Sequence, residues 1–418
     1  MRTKRKLKTD FRGKARKPLA ILVEPDYKST FPPIGLMKIS KFLKGEGWDT
    51  HYVRGRQNLP QRIKERVKEI LITSLTTWSY KEVIYCCMYY HKRFPGVRIS
   101  VGGIMASVMP DMLEDYLEGS VNVHKGLLNV AEGIGVDYEL LRNSERSESY
   151  IWMSRGCMRR CGFCLVPKIE GDFTPIEPSK WLLGVDDRFS HVQIMDNNWL
   201  CKTALEKKSD VAAMRMLVDN ERVKSFDFNQ ALDCRLFLKE GVCGTPADML
   251  KDLPIKPYRF AFDHLDEDGH IQKSIKRALV DSGCAADEWQ HPRNTVVVDV
   301  LYNYNDTPED FYYRIKEIAR CGAVGVPMRF HPHTDLKRKY VGYYWNENET
   351  KAINVLLMPF KSGSVNFVDK EYFEWWWGKN EKEFKRLINI PTGKLRRFVV
   401  EKAQKRRAER IRIREGLV

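Results

Sequence analysis

Three cysteines, Cys157, Cys161 and Cys164, lie in the run SRGCMRRCGFCL (154–165), spaced C-x3-C-x2-C. Thiolates are soft ligands, and spacing this close lets one loop wrap a cubane and bind three of its irons, leaving the fourth open. A structural zinc site takes four protein ligands, and no fourth Cys or His stands nearby at finger spacing, so zinc is the weaker reading of the same residues. The chain has ten cysteines. Cys86 and Cys87 are adjacent in VIYCCMYY, and Cys201, Cys234, Cys243, Cys284 and Cys321 are scattered singly. These seven read as small buried hydrophobes rather than a disulfide framework.

The elements that must present the cysteine loop follow an α/β rhythm. LAILVE (19–24), THYVR (50–54), EILITSL (69–75) and VRISVGG (97–103) read as strands, with helices over 35–44 and about 80–93 between them. Such alternation predicts a doubly wound, Rossmann-like domain over 18–140. After the polar stretch LRNSERSES (141–149), a second series begins: YIWMS (150–154), HVQIM (191–195), FDFNQ (226–230), YRFAF (258–262), TVVVDVL (295–301) and AVGVP (323–327). Six βα units predict a partial (β/α)6 TIM-type barrel over 150–335, with its chemistry at the carboxyl ends of the strands. Residues 336–418 lose the rhythm and end in a basic helix, a mostly helical C-terminal extension.

With Phe163 just before its last cysteine, and with its place after the first strand of a six-unit series, the cysteine loop resembles the signature of the radical S-adenosylmethionine (radical SAM) enzymes. The resemblance implies a [4Fe-4S] cluster on Cys157, Cys161 and Cys164. It also implies that S-adenosylmethionine chelates the open iron and is cleaved reductively to a 5′-deoxyadenosyl radical, with a reductant such as flavodoxin or ferredoxin supplying the electron. Cofactor contacts are then expected from Phe163, from Asp196 and Asn197 in MDNN, from Asn229, Asp233 and Arg235 in FNQALDCR, and from Asn303 and Asn305 in LYNYNDTPED. Each has a plain structural counterpart: Asn198 suits a helix cap, Asp233 and Arg235 suit a local ion pair, and Thr307-Pro308-Glu309 suits a helix start. Asp263 and His264, closing the fourth barrel strand, are candidate catalytic residues, and His264 reads equally as packed core. Arg329, after the sixth strand, is a candidate for an anionic group.

The first domain resembles the cobalamin-binding-type domain found ahead of the barrel in one branch of that family, on PPIGLMKISKFLKGEGW (32–48), ITSLTTW (72–78) and VGGIMASVMPD (101–111). It departs from that pattern in one respect. Where ligating members carry Asp-x-His-x-x-Gly, this chain reads EPDYKS (24–29), with no histidine. Cobalamin is therefore expected to rest on pocket shape, with Gly102-Gly103 making room for its tail, unless the pair is ordinary turn chemistry. Cys86 and Cys87 are adjacent on a helix and cannot both serve a second cluster.

The formal charge is +16. Residues 1–17 and 394–414 each carry +8, so the body of the chain is neutral and its ends are basic. No run of 18 apolar residues and no secretory leader is visible, which predicts a cytoplasmic protein without a membrane partner. Basic ends near Trp375, Trp376 and Trp377 suggest nucleic acid, with bases stacked on indoles, unless the ends are solvated tails and the tryptophans core. Three functions remain: a radical SAM enzyme on an unidentified substrate, a cobalamin-dependent radical SAM methyltransferase acting on RNA or DNA among other substrates, and a non-enzymatic nucleic-acid-binding module stapled by iron–sulfur or zinc.

Overall fold

The computed structural model describes residues 17–29, 31–141, 148–289, 295–360 and 369–414. The basic run 1–16 and most of the expected linker 141–149 fall outside them. The chain forms two compact units, Met1–Phe189 with His333–Arg338 and Ser190–Pro332 with Lys339–Val418.

In the first unit, strands β1 (Leu19–Glu24), β2 (Asp49–Arg54), β3 (Val67–Ser74), β4 (Arg98–Gly103) and β5 (Asn122–Val123) form one parallel sheet in the order β2-β1-β3-β4-β5. The sequence LAILVE is apolar on both faces because both are covered. Leu19, Ile21 and Val23 enter a core with Val83, Cys87 and Tyr90 from the helix Tyr80–Arg93, while Ala20 and Leu22 pack with Leu36 and Leu43 from the helix Ile34–Gly45. Each such side chain contributes roughly 1.5–3 kcal/mol by leaving water. The helix Tyr80–Arg93 has the predicted bounds, and its last turn carries His91, Lys92 and Arg93, suited to the negative end of its dipole. In this strand order the direction of winding reverses between β1 and β3, the kind of switch point at whose carboxyl ends open α/β sheets bind ligands.

The first predicted barrel strand is shorter than expected: β6 (Glu148–Ile151) stops before Trp152. Ser154 and Arg155 instead form β7 (Ser154–Arg155), antiparallel to β8 (Thr174–Pro175), because the chain returns there after the cysteine loop.

In the second unit, β9 (His191–Ile194) and β10 (Ser225–Phe228) pair in parallel, and β11 (Tyr258–Ala261), β12 (Val296–Tyr302) and β13 (Val324–Arg329) form a parallel three-stranded sheet. Single bridges, Phe226 to Ile255 and Leu232 to Phe260, extend the parallel arrangement past β10. The intervening helices start where capping chemistry dictates. Thr203 with Glu206 opens Ala204–Asp219, and Thr307 with Asp310 opens Pro308–Arg320.

The extension is helical, as expected: Glu347–Leu357, Lys370–Trp377, Glu381–Ile388 and Thr392–Arg414. Phe373, Trp377 and Phe384 are buried and pack against Phe311 and Tyr312 of the helix Pro308–Arg320, and Trp376 is buried with its Nε1 donating to Leu356 O. No helix among the described residues is long and apolar enough to cross a membrane.

Candidate functional site

The cysteine loop is closed at its base. Ser154 faces Pro175 and Arg155 faces Thr174 across the β7–β8 pair, and Ile176 N donates to Met153 O at 2.8 Å. Gly156 (φ +70°) enters the loop so close to the returning chain that a β-carbon would stand 2.4 Å from Asp172 O. Beyond it Cys157, Cys161 and Cys164 are partly exposed; of the seven cysteines expected to be buried, Cys86, Cys87, Cys234 and Cys321 are, whereas Cys201, Cys243 and Cys284 are partly exposed as well. Burial pushes the Cys86 and Cys321 thiols up to about 11, so both are protonated near neutrality. Arg159 N donates to Cys157 Sγ at 3.3 Å, and Cys164 N to Cys161 O at 3.0 Å. Among the described residues no three His, Cys, Asp or Glu side chains close on a single metal position. Cubane ligands bind separate irons, so they need not converge as zinc ligands do.

Charged side chains surround the entry to this loop. Glu170 Oε2 accepts from Gly156 N at 2.7 Å, and its Oε1 accepts from Arg155 Nη1 at 2.8 Å. Arg155 also donates to both Glu132 oxygens, at 3.0 and 3.1 Å. Lys38, from the helix Ile34–Gly45, pairs with Glu132 in turn. Both cations lie over the Trp152 ring, Arg155 at 4.2 Å and Lys38 at 4.7 Å. Burial and the neighbouring Arg155 lower the Lys38 ammonium to about 8. Burial alone would raise the Glu132 carboxyl, but Arg155 and Lys38 outweigh it and hold it below its ordinary range.

At the β1–β3 switch point, the loop after β1 turns Tyr27 into the core, and Tyr52 donates its hydroxyl to Glu24. Gly103 ends β4 at φ +105°, where a β-carbon would lie 2.5 Å from Ser74 O; at Gly102 it would only touch His124, at 3.6 Å. Ser74 Oγ donates to Gly102 O and accepts from Ala106 N. Gly103 is thus required by the β3–β4 contact itself, and the Gly102 position leaves ordinary space.

In the second unit a continuous chain of polar contacts crosses the strand ends. Asn198 Nδ2 donates to Asp233 Oδ2 at 3.4 Å, and Asp233 Oδ1 accepts from Arg235 Nε at 2.9 Å. Arg235 Nη2 lies 3.3 Å from Glu267 Oε1, and Glu267 Oε2 accepts from Asp263 N at 2.7 Å. Asp263 Oδ1 accepts from Leu301 N at 3.0 Å. Arg314 donates to the carbonyls of Phe262, Asp263 and Leu301 and pairs with Asp306. Desolvation raises the Asp263 carboxyl to about 6, and desolvation with repulsion from Asp263 raises Glu267 to about 7. The chain therefore holds a proton near neutrality, which general acid–base chemistry and substrate positioning both use.

Of the expected residues, Asp233, Arg235 and Asp263 are brought together here. Asp196 is buried, Asn197 and Asn229 are partly exposed, and Asn305 and His264 are exposed. The His264 ring accepts from Asp266 N and caps a short turn, so it is not packed core. Asn303 is fully buried at φ +67°, donating to Phe330 O and Tyr340 O and accepting from Gly342 N, so its amide secures backbone. Asn198 makes no capping hydrogen bond and joins Asp233 instead. Glu267 escaped sequence reasoning, and so did Lys38, Glu132 and Glu170. Nothing in a lone acidic or basic residue signals burial.

Of the tryptophan run only Trp375 is exposed, and Lys402 lies over its ring at 4.5 Å. The core reading of Trp376 and Trp377 is the correct one, and the run is not a row of free stacking faces.

Residues 25–124 match the family model of the B12 binding domain. The fold is similar to that of a radical S-adenosylmethionine methyltransferase, TsrM, from Kitasatospora setae, in a structure with cobalamin and a [4Fe-4S] cluster bound (TM-score 0.54, 14% identity, 75% of each chain covered). The chain carries a B12-binding domain and the fold of a radical SAM enzyme. A second TsrM structure, with tryptophan substrate and the SAM analogue aza-SAM, gives TM-score 0.53 at 14% identity, covering 74% of this chain and 73% of that one. No curated protein matches the chain in sequence. The match runs from the residue after β1 to the end of β5, and it is made although the loop after β1 lacks a histidine.

Proposed function

We propose that the chain is a cobalamin-dependent radical SAM enzyme whose reaction is methyl transfer. The observation that carries the reading is the pinned loop of three partly exposed thiols in a chain that also holds a B12-binding domain. The donor set fits a [4Fe-4S] cluster: three soft ligands within eight residues of one loop, with no fourth protein ligand required. A corrinoid would be held at the β1–β3 switch point, beside the loop after β1, the Ser74 end of β3 and the small Gly102 position. When bound, the cluster supplies an electron for reductive chemistry on S-adenosylmethionine, and cobalamin supplies a methyl carrier.

The chain's own residues bind and orient. Cys157, Cys161 and Cys164 hold the cluster, and Phe163 lies beside it in sequence. Asp196, Asn197, Asn229, Asp233 and Arg235 are assigned to the amino, carboxylate and hydroxyl groups of S-adenosylmethionine. Asp263 and Glu267 hold a proton beside Arg235.

A second reading concerns the substrate. In the helix Thr392–Arg414, Lys394, Arg396, Arg397, Lys405, Arg407 and Arg412 are exposed, and Glu401 is the one exposed acid among its described side chains. That surface suits a polyanion such as RNA or DNA, bound through phosphates rather than indole stacking. A mobility-shift assay with and without residues 392–418 tests it. Salt-sensitive binding lost on truncation supports it, and binding unchanged by truncation removes it.

The enzymatic reading is tested by anaerobic reconstitution with iron and sulfide, then S-adenosylmethionine and dithionite. Wild type is expected to retain cobalamin and to yield reductant-dependent 5′-deoxyadenosine or S-adenosylhomocysteine, and a Cys157→Ala, Cys161→Ala, Cys164→Ala chain neither product. A confirmed [4Fe-4S] protein that binds no S-adenosylmethionine would instead be a cluster-stapled module.

A further inference from the structure

We infer that Lys38, Glu132, Arg155 and Glu170 form a charge-balanced clamp that positions the cysteine loop and sets the reduction potential of the cluster it holds. The inference rests on the proposed cluster at Cys157, Cys161 and Cys164.

Two cations and two anions are largely withdrawn from water here: the side chains of Lys38, Glu132, Arg155 and Glu170 are 7, 22, 11 and 10% exposed. Surface ion pairs at this position would be screened and weak, whereas these act in a low-dielectric pocket capped by Trp152. The clamp is joined directly to the ligand loop, because Arg155 and Gly156 are the two residues before Cys157. Cluster potentials respond to net charge and to hydrogen bonds reaching the sulfurs. By accepting from Gly156 N, Glu170 commits an amide that would otherwise be available to a cluster sulfur. By balancing Arg155 and Lys38, the two carboxylates cancel positive charge that would make the cluster easier to reduce. The clamp therefore keeps the cluster a strong reductant. It also ties the loop to the helix Ile34–Gly45 of the B12-binding domain through Lys38.

Charge reasoning gives opposite signs for opposite substitutions, which a merely structural role does not. Glu170→Gln retains an acceptor for Gly156 N and leaves one excess positive charge, so the midpoint potential moves to a less negative value. Arg155→Gln and Lys38→Met each leave one excess negative charge, so the potential moves to a more negative value. At a fixed poise between the extremes, the ratio of reduced to oxidised cluster is expected to differ several-fold across the series. The full chain is reconstituted anaerobically, its iron and sulfide counted, its fold checked by circular dichroism, and its cluster titrated by electron paramagnetic resonance. Lys38→Met lies outside the loop and reports even where a loop variant assembles poorly. Shifts of opposite sign support the clamp. Unmoved potentials, or shifts of one sign throughout, overturn it while a wild-type cluster leaves the functional reading standing. A wild type that assembles no [4Fe-4S] cluster overturns that reading first, and the clamp with it.

Discussion

A β-carbon on Gly103 would stand 2.5 Å from the carbonyl oxygen of Ser74 and 3.1 Å from its nitrogen, so the two strands meet there through bare backbone. Gly103 also has φ +105° and ψ −166°, a region open essentially to glycine alone. Gly103→Ala is therefore expected to cost on the order of 2–4 kcal/mol of stability and to reduce cobalamin retention. Thermal melting with cobalamin absorbance measures both. Gly102→Ala, which meets only His124 at ordinary contact distance, separates crowding of the crevice from damage to the sheet.

The loop after β1 would offer no imidazole to a bound corrinoid, since EPDYKS contains none and Tyr27 is buried. Bound cob(II)alamin is expected to show no nitrogen superhyperfine splitting from a protein ligand in its electron paramagnetic resonance spectrum. Splitting that disappears in a His124→Ala variant would overturn this, whereas splitting from cobalamin's own base would persist in that variant.

Glu267 makes stability depend on pH in a defined direction. Its folded value is raised from 4.5 to about 7 by burial and by Asp263, so the folded chain holds a proton that the unfolded chain releases. This group's contribution is most favourable below pH 4.5, declines as the pH rises through that window, and is flat above pH 7. Glu267→Gln should flatten the decline by up to about 3 kcal/mol across the window. Denaturant midpoints at several pH values measure it, and a slope equal to wild type would contradict the assignment.

Asn303 combines a left-handed backbone with three hydrogen bonds to the chain around Phe330, Tyr340 and Gly342. Asn303→Ala is expected to cost about 2–4 kcal/mol, and Asn303→Gly to recover only the backbone strain, roughly 1 kcal/mol. Equal stability of the two variants would show that the left-handed backbone costs alanine nothing, and a glycine variant as stable as wild type would show that the hydrogen bonds add nothing.

The strands and helices were legible because burial on both faces leaves unbroken apolar runs such as LAILVE, and burial on one face leaves a period such as that of Tyr80–Arg93. The cysteine loop was legible because ligand spacing is local. The end of β6 was not, since the pairing that takes Ser154 and Arg155 away lies twenty residues downstream at Thr174 and Pro175. Nor was the clamp: Lys38 and Glu132 meet across 94 positions, and an isolated Lys or Glu carries no mark of a buried partner. Asp233, Arg235 and Asp263 could be named from their places at strand ends, but Glu267, which links Arg235 to Asp263, follows a turn and reads as solvated.

The β7–β8 pair has a further consequence for the life of the protein. Because Ser154–Arg155 and Thr174–Pro175 already fasten the two ends of the loop, folding alone meets much of the chain entropy of gathering three thiols, which then sit at high effective concentration before any iron arrives. Assembly of the proposed cluster would then be docking into a preformed loop rather than a folding event.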